Sequence, residues 1–110
     1  IYQLYEVETE PQFILGNDSL RQIITSNFKR VKRAPMQGKI PVVVDVLIDK
    51  HGIAKLIGIR KSSGDTVIDE EALKVAKIIC QYKFIPATHR GETVETIFPI
   101  MFLDNDVKAK

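Results

Sequence analysis

Residues 39–50 read Lys-Ile-Pro-Val-Val-Val-Asp-Val-Leu-Ile-Asp-Lys. Ile40, Val42, Val44, Val46 and Ile48 fall on one side, and Pro41, Val43, Asp45, Leu47 and Asp49 on the other. A period of two, this rich in β-branched residues, predicts a strand with one buried face. Asp49-Lys50-His51-Gly52 follows as a turn, with Gly52 able to take positive φ. Ile53–Ser62 then predicts a second strand with Ile53, Ile57 and Ile59 on one face, so the two make a long β-hairpin.

Upstream of the hairpin, Leu20, Ile23, Ile24 and Phe28 recur at helical spacing and predict a helix over about 19–29, capped by Asn17 or Asp18. Pro35 and Gly38 interrupt the connection to the hairpin. The first sixteen residues are mixed. Tyr5–Thr9 alternates well enough for a short strand, and Pro11 and Gly16 mark a loop.

Downstream, Ser62–Asp65 is a loop, and Thr66 followed by Asp69 resembles a capping box. Asp69-Glu70-Glu71 suits the positive end of a helix dipole. That helix runs to about Cys80 with Ile68, Ala72, Val75, Ala76 and Ile79 facing inward. Tyr82 and Phe84 sit in an extended segment broken by Pro86 and read as core. After a turn at Gly91, Glu92–Leu103 predicts a last strand with Val94, Thr96, Phe98, Ile100 and Phe102 on one face. The order β-α-β-β-α-β predicts an α+β fold: a small two-layer sandwich, an antiparallel sheet of about three long strands with two helices on one face and no obvious cleft. Residues 1–16 are an N-terminal extension, 17–103 the domain, and 104–110 a polar tail expected to be disordered.

The chain has 110 residues, 16 basic and 14 acidic, with a net charge of +2. That balance argues against a dedicated nucleic-acid binder. Lys29-Arg30-Lys32-Arg33 is the strongest charge feature; without interleaved aromatics it reads better as a solvated helix end than as a binding patch. No apolar run is long enough to span a bilayer. The chain starts at Ile1 rather than Met, so an anchoring or export segment is expected upstream. Catalytic chemistry finds little support. His51 falls in a turn and His89 in a loop, neither with a Cys or carboxylate at metal-ligand spacing. Cys80, the one cysteine, ends an apolar helix face. Asp69, Glu70 and Glu71 point in different directions around a helix, so capping accounts for them better than acid–base work. No cofactor or metal is expected.

Asp49-Lys50-His51-Gly52, Lys61-Ser62-Ser63-Gly64-Asp65 and Ile68-Asp69-Glu70-Glu71-Ala72-Leu73 resemble the C-terminal domain of TonB-type energy transducers, most closely the Bacteroidetes versions. Phe84-Ile85-Pro86-Ala87, Gly91-Glu92-Thr93-Val94 and Phe98-Pro99-Ile100-Met101-Phe102 continue the resemblance, which runs over residues 5–103. It implies a non-enzymatic, periplasmic, inner-membrane-anchored module. Such a module docks the TonB box peptide of an outer-membrane receptor by strand addition and transmits force from proton-driven motor proteins for nutrient uptake. It implies a peptide-binding edge strand at Val94, Thr96, Phe98, Ile100 and Phe102, and receptor contact near Arg30, Val31 and Lys32. The family often has Tyr-Pro where this chain has Arg30-Val31, and Pro-Gly-Gly where it has Ile14-Leu15-Gly16. The alternative implied is a TonB-like tail of a BlaR-type membrane metalloprotease sensor. A strand-exchanged homodimer is a further expectation. Pro99 bears on the edge independently, since proline within a sheet belongs at an edge or a bulge. If the Ile100 N–H faces the peptide, a proline there removes a second edge donor.

Overall fold

A computed structural model describes residues 1–28 and 42–102. In chain order the elements are β1 (Tyr2–Gln3), a 3₁₀ turn (Leu4–Glu6), β2 (Gln12–Phe13), α1 (Asn17–Phe28), β3 (Val42–Ile48) and β4 (Ala54–Lys61). They continue with α2 (Thr66–Cys80), β5 (Phe84–Ile85), β6 (Ala87–His89), β7 (Glu92–Val94) and β8 (Thr96–Phe102). The main sheet has the order β1-β8-β3-β4, so the expected α+β sandwich with three long strands is present.

The period-two reading of β3 holds residue by residue. Val42, Val44, Val46 and Ile48 are buried, and Val43, Asp45 and Leu47 are only half-buried. The helices supply the opposing layer. Ile68, Ala72, Val75, Ala76 and Ile79 of α2 are all buried, and Leu20, Ile23 and Ile24 of α1 pack against the same core. Phe28, the fourth expected residue of that face, is described in backbone only.

β4 departs from the expected face. Val46 pairs with Leu56 but Asp45 pairs with Gly58, so Ile57 is an extra residue on the β4 side. This bulge changes the parity of the strand. Ala54 and Leu56 face inward before it and Ile59 after it, whereas Ile53 and Ile57 point outward and are exposed. Ile53, Ile57 and Ile59 therefore do not share a face.

The cap of α2 also differs. Asp65, not Thr66, is the N-cap, and its Oδ1 accepts from the Val67 and Ile68 N–H groups. Asp69 turns back to the preceding loop and accepts from the Ser62 hydroxyl, the Ser63 N–H and the Ser63 hydroxyl. Burial by itself would raise the Asp69 pKa, but these donors outweigh it and hold the carboxyl below its ordinary value of 3.8. A folded pKa below the unfolded one gives stability that is present above pH ~4 and lost as pH falls through the folded value. Urea midpoints measured from pH 6 downward are therefore expected to drop below about pH 4, and Asp69→Asn is expected to flatten that drop.

The N-terminal segment is woven in rather than appended. Tyr5–Thr9 is not a strand: Tyr5 and Glu6 lie in the 3₁₀ turn, and the strand forms earlier, at Tyr2–Gln3. Glu6 makes the difference, because its Oε1 accepts from the Gln3 N–H (2.7 Å) and curls the chain. Thr9 bridges Thr88, and β2 pairs with β5. That pairing places Phe13 on Phe84 (5.3 Å) and Tyr82 (5.2 Å), with Phe84 on Phe98 (5.5 Å). Phe84 is core as expected, while Tyr82 stands at the rim of this aromatic cluster, packed on one side and exposed on the other.

Candidate functional site: the outer flank of β8

β8 is antiparallel to β3 along its whole length, from Val42↔Phe102 to Ile48↔Thr96. Among the described residues its other flank carries only β1, in parallel, at Tyr2↔Thr96 and Gln3↔Ile97. The Tyr2 N–H donates to the Glu95 carbonyl at 2.9 Å. In a parallel ladder that register sends the Ile97 N–H to the Tyr2 carbonyl and the Leu4 N–H to the Ile97 carbonyl. The odd-numbered residues of β8 thus point their backbone groups outward, and Thr96, Phe98, Ile100 and Phe102 point theirs at β3.

Pro99 fits this parity. It stands opposite Asp45, and its missing N–H falls on the outward flank, so no bond to β3 is lost. The same residue explains why β1 is only two residues long. The next rung of the parallel ladder would need a Pro99 N–H, and there is none. Beyond it, the outward groups are the Pro99 carbonyl and the Met101 N–H and carbonyl. No strand among the described residues pairs with them. Alongside runs a groove of about 320 Å³, lined by Asn17, Leu20, Arg21 and Ile24 of α1 and by Phe98–Met101.

Residues 29–103 match the family described as Gram-negative bacterial TonB protein C-terminal. The chain belongs to that family. TonB C-terminal domains are periplasmic, non-catalytic protein-interaction domains of an inner-membrane-anchored energy transducer, and they interact with outer-membrane receptors. No curated protein and no solved structure matches the chain.

Against the TonB expectation, the five edge positions separate. Val94 is in β7, half-buried, and outside β8. Thr96, Ile100 and Phe102 have their side chains in the core and Phe98 is half-buried, and their backbone groups face β3. The backbone groups on the flank away from β3 are instead those of Ile97, Pro99 and Met101. The Ile100 N–H is not an outward donor, so the expected effect of a proline there is corrected: it would break the β3 ladder. Arg30, Val31 and Lys32, the basic cluster around them and the 104–110 tail lie outside the described residues. Asn17, Leu20, Arg21 and Ile24 come to the site through α1. Hydropathy marks Leu20 and Ile24 only as part of a helix face and does not mark Asn17 or Arg21 at all, and that signal says nothing about which strand flank they overlook.

The TonB domain offers little chemistry elsewhere. His51 is exposed in the turn, its N–H donating to Asp49 Oδ1 (2.8 Å). His89 lies in β6 with its ring 5.1 Å from that of Tyr2. Burial pushes the Cys80 thiol up, away from the thiolate a nucleophile needs. Among the described residues no three His, Cys, Asp or Glu side chains gather to hold a metal. No described helix is long and apolar enough to cross a membrane.

Proposed function

We propose that this TonB C-terminal domain docks the TonB box of an outer-membrane receptor as an added strand on the outer flank of β8, and passes force to that receptor for nutrient uptake. The observation that supports it is the outward Pro99 carbonyl and Met101 N–H and carbonyl, which have no strand partner among the described residues. An extended peptide satisfies such groups whatever its side chains are. Its alternate side chains would then enter the groove between α1 and β8, where Leu20, Ile24 and Ile100 give apolar contact. Proton-driven inner-membrane motor proteins would couple to the domain through an upstream anchor.

Each backbone bond contributes about 0.5–1.5 kcal/mol net, so such a joint is reversible. Met101→Pro removes the outward donor and leaves the β3 ladder intact. It is expected to weaken binding of a TonB-box peptide by about tenfold, measured by calorimetry, with the melting temperature little changed. A folded Met101→Pro protein with wild-type affinity would take the site away from this flank.

A further inference from the structure

We infer that β1 is a resident stand-in for the peptide: the chain closes part of its own docking flank, and a full-length added strand must first displace residues 1–6. The inference rests on the strand-addition reading above. β1 occupies the Glu95 carbonyl and the Ile97 N–H and carbonyl. Those are the outward groups continuous with the Pro99 carbonyl and the Met101 N–H and carbonyl, so a peptide docked beside an intact β1 reaches only half of the row.

Three features make the stand-in removable. It is held by two register positions, because Pro99 stops the ladder and the 3₁₀ turn carries the chain off the sheet. Where the Tyr2 ring lies on His89, the His89 Nδ1 atom is buried with no hydrogen-bond partner among the described residues, a cost that release of β1 removes. The rest of the arm is anchored separately. The Glu8 and Thr9 N–H groups both donate to the Thr88 carbonyl, at 3.1 Å each, and the Thr88 N–H donates back to Thr9 at 3.0 Å. β2 is fixed to β5 and places Phe13 in the core. Residues 1–6 can therefore peel away from β8 while residue 8 onward stays in place. The exchange replaces one extended segment with another, so the flank selects against peptides too short to outcompete two rungs.

The test uses an N-acetylated Ile-Tyr-Gln-Leu-Tyr-Glu peptide, the sequence of residues 1–6, as the probe. It is titrated by NMR into the wild-type chain, Tyr2→Pro, and the double variant Gln3→Cys with Ile97→Cys. Tyr2→Pro deletes the donor to Glu95 and the ring on His89. It is expected to speed exchange of the Ile97 amide and to bind the probe at least about tenfold more tightly than wild type. Oxidation of the cysteine pair, which are register neighbours, locks β1 in place and is expected to block probe binding on that part of the flank, and reduction to restore wild-type affinity. Equal and measurable affinity in wild type and Tyr2→Pro overturns the stand-in but leaves strand addition standing. An opened Ile97 amide with no binding to either protein overturns strand addition itself. Should Tyr2→Pro fail to fold, the cysteine pair decides, and equal binding in its two redox states overturns the inference.

Discussion

Val44→Asp will abolish the folded state. Val44 is 0% exposed in β3 and lies between Ile59 of β4 and Ile100 of β8. Every neighbour on its face is apolar, and no cation among the core residues could pair with a carboxylate there. An unpaired buried charge costs several kcal/mol even after relaxation, and the lost valine packing adds about 2–3 kcal/mol more. Domains of this size are stable by about 5–15 kcal/mol. Far-UV circular dichroism should show no cooperative thermal transition for the variant. A melt near the wild-type temperature would mean that the side chain escapes to water, and the face assignment of β3 would be wrong.

Gly52→Ala carries the second large effect. Gly52 closes the β3–β4 turn at φ +84°, and its N–H donates to the Asp49 carbonyl at 3.0 Å. A Cβ there would overlap the backbone carbonyl oxygen of Phe84, whose own N–H donates to the Gly52 carbonyl at 2.8 Å. The turn thus sits directly on β5, under the aromatic cluster. Alanine at this φ costs about 1–2 kcal/mol from conformation alone. Pushing Phe84 away adds a lost hydrogen bond and loosened ring contacts, for a total of about 3 kcal/mol or more. Gly64→Ala is the control: it has the same sign of φ (+89°) but nothing within 4 Å of the added atom. Only the conformational part is expected there, so urea midpoints should separate the two variants clearly.

Much of this architecture can be read directly from local chemistry. β3 announces itself through alternating β-branched residues, α2 through five apolar positions at helical spacing, and both were found where expected. What local pattern cannot carry is pairing. Nothing in Tyr2-Gln3 marks it as a strand, since two residues have no period, and its partner lies more than ninety residues away. The bulge at Ile57 escapes for a related reason: inserting one residue reverses a face without changing composition. Hydropathy also distinguishes the two faces of a strand but is blind to its two flanks. Alternation therefore marks the even residues of β8 as a core face and leaves the direction of their backbone groups unread. Pro99 alone held the missing information, because a residue without an N–H must turn its nitrogen to the unpaired flank, which puts Met101 outward and Ile100 inward.

The seven-position ladder that joins β8 to β3 has a mechanical meaning. A tug along a docked peptide would load that ladder in shear, with all its rungs sharing the tension at once. On the strand-addition proposal the peptide's own joint would have fewer rungs, because Pro99 leaves one blank. Rising load would then free the cargo line first and leave the gripping module intact for another cycle.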